Sequence, residues 1–302
     1  MSGEGLLHSP RRRAAVILQR RQFMKIALLQ TPVGTDKKKN LENACAQAAL
    51  AARDGAELVI LPEMFNCPYS GRWFRAFAEP EGGESWQAMA RCAAENRICL
   101  AAGSMPEADG AHICNTAYVF GPDGRQLAKH RKMHLFDVCF DGGQHFRESD
   151  TFTPGDRVTT FSFGGMTFGL CICFDFRFPE LSRLMALRGA QAVIVPAAFN
   201  MTTGPLHWET MFRQRAVDDQ VYTIGAAPAR DPEGVYVSYA NSLVCSPLGQ
   251  VITRAGASPC ILQAELDPLQ VESARRQLPL LSARRQDVYT LAENHPESAG
   301  RG

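Results

Sequence analysis

The sequence predicts an α/β fold whose sheets are mixed rather than wholly parallel. Apolar strand-like runs alternate along the chain with amphipathic helical stretches. Several neighbouring strands are joined by turns too short for a crossover, notably Pro122-Asp123-Gly124 and Gly164-Gly165. No Ser/Gly/Pro-rich linker or break in composition divides the 302 residues, 45% of them hydrophobic, so a single domain over 24–291 is expected.

The elements follow in order. MKIALLQ (24–30) reads as a first strand, and Asp36 is placed to cap a helix that runs through Ala52 and stops at Asp54-Gly55. ELVILP (57–62) is a short buried strand that delivers Glu63 at its C-terminal end, completing a β-α-β unit. A helix over Ser85–Asn96 precedes strands at 97–103 and 113–120, and a hairpin strand over 125–132 carries Lys132 out of its end. Strands at 158–163 and 166–172 meet at Gly164-Gly165, after which Pro179 opens a helix closed by Gly189. QAVIVP (191–196), a helix from His207 to Asp218 and VYTIGAA (221–227) come next. Short strands at 242–246, 250–253 and 260–265 complete the series, and no internal repeat is evident.

Composition narrows the function. With 32 basic and 31 acidic residues the net charge is +1, so no global field favours nucleic acid or an anionic membrane, and a small-molecule partner is expected. Ten cysteines are scattered without paired C-x-x-C units of zinc-site spacing, which points to reduced thiols, a cytoplasmic protein and no metal. Cys171 and Cys173 share one face of a strand, where a bridge would be strained. No apolar stretch reaches the roughly 18 residues of a membrane span. Residues 1–23 carry five arginines against one glutamate and are expected to be disordered, either a false start before Met24 or a weak organellar transit peptide. A flexible tail is expected over 292–302.

Cys173 is the most informative residue. It stands in CICFDFRFPEL, where a strand meets the Pro179-Glu180 helix start, the geometry that in serine hydrolases exposes a nucleophile beside backbone N–H groups. A thiol near neutral pH needs a neighbouring base or cation to react. Glu63 and Lys132, each at a strand end, supply a carboxylate and an ammonium. Taken singly these are weak signals, because free cysteines are usually inert core residues and Glu63 or Lys132 alone reads as solvated. His130 and His134 have helical metal-ligand spacing, but their strand setting and flanking cations favour structural roles. Trp208 and Glu209 read as packing and capping a helix.

With Glu63, Lys132 and Cys173 in that order, 69 and 41 residues apart, the chain resembles the nitrilase superfamily of carbon-nitrogen hydrolases. The resemblance runs from about 25 to 291 through LPEMFNCPYS, HRKMHLFD, CICFDFRFPEL and PAAFNMTTGPLHWE, and is greatest to the omega-amidase branch. It implies a four-layer alpha-beta-beta-alpha sandwich, subunits that pair into a homodimer or larger assembly, and no cofactor. It also implies that Glu148, 16 residues after Lys132, completes a Glu63, Lys132, Glu148, Cys173 tetrad. The segment QLPLLSARRQDVY (277–289) matches a family arm, here 267–291, with Arg284, Arg285 and Asp287 in place, whereas VCFDGGQ (138–144) departs from omega-amidases and bears on substrate choice.

The expected chemistry is amide hydrolysis. Glu63 takes the Cys173 proton and passes it to the departing ammonia; Lys132 and the backbone N–H of Phe174 hold the oxygen charge; water oriented by Glu148 releases the acid. Arg177 suits a substrate carboxylate, against the plainer reading of an ion pair with Asp175 or Glu180. Tyr69 and Asn200 fall in segments that line the pocket in the family and could bind an acid substrate. The leading expectation is hydrolysis of the terminal amide of a short dicarboxylic acid monoamide such as 2-oxoglutaramate or 2-oxosuccinamate. Rival readings are a nitrilase, an N-carbamoyl amine amidohydrolase or another aliphatic amidase, and a non-catalytic binding relative.

Overall fold

The computed structural model describes residues 23–139 and 145–294. The expectations for residues 1–22, for the tail beyond 294 and for most of the VCFDGGQ segment lie outside these.

The chain builds one six-stranded sheet, then a second, and returns to the first with its last strand. In chain order the first part holds β1 (Met24–Gln30), α1 (Lys37–Arg53), β2 (Leu58–Ile60), α2 (Gly71–Phe77), α3 (Glu84–Asn96), β3 (Cys99–Asp109), β4 (His112–Phe120) and β5 (Gln126–Arg131). A short ribbon of β6 (Asp137–Cys139) and β7 (His145–Arg147) follows. Then come β8 (Thr159–Phe163), β9 (Met166–Leu170), α4 (Pro179–Leu187), β10 (Ala192–Pro196), α5 (Gly204–Asp219), β11 (Tyr222–Ala226), β12 (Leu243–Cys245) and β13 (Val251–Arg254). The chain closes with β14 (Cys260–Leu266) and α6 (Pro268–Gln277).

The first sheet has the order β14-β1-β2-β3-β4-β5 and the second β13-β12-β11-β10-β9-β8. Both are mixed, as expected: β1, β2 and β3 run parallel, as do β9, β10 and β11, and the flanking pairs are antiparallel.

Alternation along the strands explains the layering. On β1, Ile26 and Leu28 belong to the core shared with Phe168, Leu170, Ile194 and Ile224 of the second sheet. Ala27 and Leu29 face the other way, onto Leu41, Ala44 and Ala48 of α1 and Met89 and Ala93 of α3. Helices α4 and α5 cover the far side of the second sheet, against β9, β11 and β12. The result is the expected four-layer alpha-beta-beta-alpha sandwich. The close approach of α5 needs a glycine: a Cβ at Gly225 on β11 would lie 2.5 Å from the Phe212 ring.

The helix starts follow the sequence signals. The Asp36 carboxylate accepts from the Lys39 N–H at 3.2 Å to cap α1, and Pro179 occupies the first turn of α4. Three features differ from expectation. Strand β3 continues to Asp109 through an irregularity between Ala102 and Met105, α5 begins at Gly204 rather than His207, and α2 and the β6–β7 ribbon were not anticipated. Gly103-Ser104 hid the continuation of β3, and Pro205 fits a first helical turn.

Candidate active site

Glu63, Lys132, Glu148 and Cys173 converge on one buried spot. Glu63 follows β2 and Cys173 follows β9, both at the C-terminal ends of parallel strands where α/β sheets present their chemistry; Lys132 immediately follows β5, and Glu148 opens a 3-10 turn after β7. Lys132 Nζ lies 2.9 Å from Glu63 Oε1 and 2.9 Å from Glu148 Oε2, with all three side chains sealed from solvent.

The Glu63 turn is held by β3. Ser104 Oγ accepts from the Met64 N–H at 3.2 Å, Met64 has φ +54°, and a Cβ at Gly103 would stand 2.0 Å from the Pro62 carbonyl oxygen. Only glycine lets that strand pass so close. Glu63 Oε1 accepts from Lys132 Nζ and, at 2.9 Å, from Asn115 Nδ2. Glu63 Oε2 has no hydrogen-bond partner among the described residues. Cys173 is close enough to this carboxylate for each to influence the other's ionisation, and the Ala198 backbone N–H favours the charged form of the thiol.

Cys173 has φ +47°, a left-handed conformation unusual for a side-chain-bearing residue. It begins a 3-10 turn, Cys173–Arg177, between β9 and α4, so the strand, sharp turn and helix expected of a nucleophile are all present. The turn also leaves the Phe174 N–H among the first amides of a helix, which lack intrahelical partners.

Asp175 ties this turn to the Lys132 segment. Fully buried, it accepts through Oδ2 from the Ile172 N–H (3.0 Å) and His130 Nε2 (3.0 Å), and through Oδ1 from the N–H groups of Met133 (3.1 Å) and His134 (2.8 Å) and from His134 Nδ1 (2.8 Å). The two histidines thus have structural roles. Among the described residues no group of three or more His, Cys, Asp or Glu side chains is arranged for a metal.

The electrostatics follow from burial around one cation. Burial, opposed by the Lys132 charge and reinforced by Glu148, raises the Glu63 carboxyl above its ordinary value. Burial and the Glu63 charge likewise hold the Cys173 thiol well above the usual thiol range, despite Lys132 and the Ala198 N–H. For Lys132, burial favours the neutral amine, but Glu148 and Glu63 outweigh it and keep the ammonium protonated. At Asp175 burial is likewise overcome, here by the His130 and His134 hydrogen bonds, and the carboxyl is held well below its ordinary range.

Tyr69 has a different place from the one expected of a substrate ligand. Its hydroxyl donates to Glu148 Oε1 at 2.5 Å and lies 3.4 Å from both Glu63 Oε1 and Lys132 Nζ. Glu148 Oε2 also accepts from the Phe136 N–H at 2.7 Å, so both of its oxygens are engaged. Arg177 and Asn200 meet Cys173 in a narrow cleft of about 10 Å³, with Phe174, Phe199 and Thr203. The Arg177 guanidinium lies over the Phe199 ring at 4.7 Å and touches His207 Nδ1 at 3.0 Å; the plainer ion pair with Asp175 or Glu180 is not formed. Asn200 Oδ1 accepts from the N–H and hydroxyl of Thr203, both at 2.9 Å. Beyond Tyr69 and Ala198 opens a cavity of about 280 Å³ with Glu63 in its lining.

Sequence reasoning missed Asn115, Ala198 and Tyr236, whose hydroxyl donates to the Ala198 carbonyl at 2.6 Å. Nor does the position of Asp175 inside CICFDFRFPEL reveal the bonds it makes. Trp208 packs as expected, between Phe199 and Phe212, while Glu209 pairs with Arg254 at 2.7 Å rather than capping.

The carbon-nitrogen hydrolase family model matches residues 25–276. The chain is 46% identical to the omega-amidase NIT2 of Mus musculus over 272 residues, 90% of this chain and 99% of that protein. Among solved structures, Nit3 of Saccharomyces cerevisiae, a member of branch 10 of the nitrilase superfamily, matches with a TM-score of 0.81 and 39% identity over 88% of this chain and 97% of its own. A mutant amidase from Nesterenkonia sp. AN1, in which acrylamide has added to the active site cysteine, matches with a TM-score of 0.73 and 29% identity over 88% of this chain and 98% of its own. With the family model covering most of its length and these relatives spanned almost end to end, the chain belongs to the carbon-nitrogen hydrolases of the nitrilase superfamily, where it is similar to omega-amidases.

Proposed function

We propose that the protein is an omega-amidase: it hydrolyses the terminal amide of a short dicarboxylic acid monoamide, such as 2-oxoglutaramate or 2-oxosuccinamate, to the acid and ammonia. The observation that carries this reading is a buried thiol beside a carboxylate and an ammonium, with a guanidinium free of acidic partners among the described residues in the same cleft.

Glu63 takes the Cys173 proton as sulfur attacks the amide carbon. The carbonyl oxygen becomes negative and is held by Lys132 and the Phe174 N–H. An ammonium has three N–H donors: two are committed to Glu63 and Glu148, and the third, which makes only a long 3.4 Å contact with the Tyr69 hydroxyl, turns to this oxygen. The C–N bond then breaks, Glu63 gives its proton to the leaving nitrogen, and a thioester remains. Water attacks the thioester with Glu63 again as base, the S–C bond breaks and the thiol is restored.

Glu148, saturated by Tyr69, Lys132 and Phe136, acts by fixing the ammonium, so the water-orienting role expected of it passes to Glu63. Arg177 binds the distal carboxylate, with Asn200 beside it and Tyr69 contributing its ring. All steps use side chains and water, and the reading calls for no metal or organic cofactor. We further propose a cytoplasmic enzyme working as a homodimer or larger homo-oligomer, a reading supported by exposed Leu278, Val288 and Tyr289 around the C-terminal arm.

Ammonia release from 2-oxoglutaramate, 2-oxosuccinamate, propionamide, a nitrile and an N-carbamoyl amine tests the assignment. The expected result is a kcat/KM for the dicarboxylic monoamides at least about 100-fold above propionamide, because a buried charge-assisted pair contributes about 1.5–3 kcal/mol per bond. Equal rates on the acidic and neutral amides would overturn it.

A further inference from the structure

Glu63 has two carboxylate oxygens, and the protein treats them differently. Oε1 accepts from Lys132 Nζ and Asn115 Nδ2, both at 2.9 Å, which occupies both of its lone pairs. The Tyr69 hydroxyl, 3.4 Å from Oε1, gives its hydrogen bond to Glu148 at 2.5 Å instead. Oε2 is buried and has no hydrogen-bond partner among the described residues.

Asn115 enters this arrangement through both its backbone and its side chain. It lies on β4, fully buried, and its carbonyl accepts from the Lys132 N–H at 2.8 Å, just where β5 ends. Its side chain reaches Glu63, which follows β2, although β3 lies between the two strands. One residue therefore holds the carboxylate and the backbone of the cation. Asn115 Oδ1 is buried without a partner among the described residues. Turning the amide over would set Oδ1 against Oε1, acceptor against acceptor, so the carboxylate decides its orientation. A buried amide oxygen left unpaired lowers stability, and an apolar residue of the same size would fill the space without that penalty. The bond to Glu63 is what an asparagine supplies there and a leucine does not.

We propose that Asn115 is a positioning residue for the reaction: with Lys132 it reserves Oε1 as an anchor, and so makes Oε2 the oxygen that takes the Cys173 proton and returns it to the leaving nitrogen. The inference rests on the amidase reading above and deepens it by assigning the proton to one atom. The arrangement suits both forms of Glu63. With a proton on Oε2, Oε1 is a carbonyl oxygen that keeps accepting from Asn115 and Lys132, so neither donor has to move as the proton comes and goes. A proton on Oε1 would instead face both donors. The titratable groups around this carboxylate are Lys132, Glu148, Tyr69, Tyr236 and Cys173. Asn115 carries no charge, so removing its side chain leaves the charges of the site as they are.

The test uses Asn115→Leu, with Asn115→Ala as a second variant should leucine fail to pack; both keep the backbone carbonyl on Lys132. Two pH profiles are compared with wild type. One is kcat for ammonia release from 2-oxoglutaramate. The other is the rate at which iodoacetamide alkylates Cys173, followed on the Cys173 peptide by mass spectrometry; here the S–C bond forms as iodide leaves and Glu63 takes the thiol proton. Loss of a donor to the charged carboxylate raises its pKa, and Glu63 must be deprotonated to accept that proton. The acid limb of both profiles should therefore move up by about one pH unit. On the plateau kcat should fall about 10-fold with KM nearly unchanged. Acid limbs that stay at the wild-type pH in both profiles would overturn the proposal and leave Asn115 a packing residue, whatever the loss in kcat. A shifted alkylation limb in a protein that releases no ammonia from any of the amides named above would instead refute the amidase reading and leave Asn115 as the residue that orients Glu63.

Discussion

Replacing Asp175 with Asn should damage stability and catalysis together, although Asp175 touches no reacting atom. The carboxylate accepts five hydrogen bonds, three through Oδ1 and two through Oδ2. An asparagine that keeps its oxygen toward Met133 and His134 turns its NH₂ toward His130 and Ile172. His130 can adapt, because its other nitrogen meets a hydroxyl, Thr159 Oγ1 at 3.0 Å, which donates or accepts. The Ile172 N–H cannot, and a buried backbone donor left facing another donor costs about 1–3 kcal/mol. With the charge-assisted character of the remaining bonds also gone, the loss should be about 3 kcal/mol. Ile172 immediately precedes the strained Cys173, so release of its N–H shifts the nucleophile, and misplacement on the order of 1 Å costs about 10²-fold in kcat. Urea denaturation and steady-state ammonia release read the two effects. Because the folded pKa of Asp175 is depressed, its stabilisation is fully present above the unfolded value of about 3.9 and is lost as pH falls through the folded one. The gap between wild type and variant should therefore stay constant from about pH 5 to 8 and narrow only in stronger acid. A variant with unchanged denaturation midpoint and unchanged kcat would refute the reasoning.

Other perturbations probe the remaining groups. Cys173→Ala should keep the denaturation midpoint close to wild type while turnover drops by about 10⁴-fold or more, and full residual amidase activity would remove the thiol from the mechanism. In the proposed mechanism Glu63 works as a carboxylate with a raised pKa, so wild-type kcat should fall as pH drops through a value above the ordinary glutamate range of about 4.3; Glu63→Gln should abolish that acid limb along with most activity. Tyr69→Phe removes the 2.5 Å bond to Glu148 and should lower kcat by about 10-fold or more with little change in KM, whereas a hydroxyl that binds substrate would raise KM instead. Arg177→Lys should raise KM for 2-oxoglutaramate by about 10-fold or more and leave propionamide hydrolysis nearly untouched, because a lysine cannot reproduce the two-pronged carboxylate contact.

Much of the fold was legible because its strands are short, apolar and flanked by strong turn signals. MKIALLQ, ELVILP and QAVIVP appear within a residue or two of their expected places. What the sequence concealed depends on contacts distant along the chain. The extension of β3 to Asp109 is stabilised by pairing with β4 across an irregularity at Gly103-Ser104, where local propensity argues for a stop. The site divides in the same way. Glu63, Lys132 and Cys173 were marked by strand ends, but the roles of Tyr69 and Asp175 are set by partners 79 and 45 residues away in sequence, Glu148 and His130. No spacing rule reports such a bond, since it exists only once two layers have packed.

Charge conservation around Lys132 links this buried arrangement to the chemistry. Burial favours a neutral Cys173 sulfur, while Lys132 stays protonated with Glu63 Oε1 at 2.9 Å from its Nζ. A preformed thiolate would put a further negative charge into a sealed pocket that already contains Glu63 and Glu148, and desolvation opposes it. Attack coupled to proton transfer avoids that cost. In the proposed reaction, as Glu63 is neutralised, negative charge appears on the substrate oxygen, and Lys132 passes from one anion to the other without any change in the charge around it. On this mechanism Lys132 can be fully buried and still serve catalysis, because its environment is arranged for the charge of the transition state before substrate arrives.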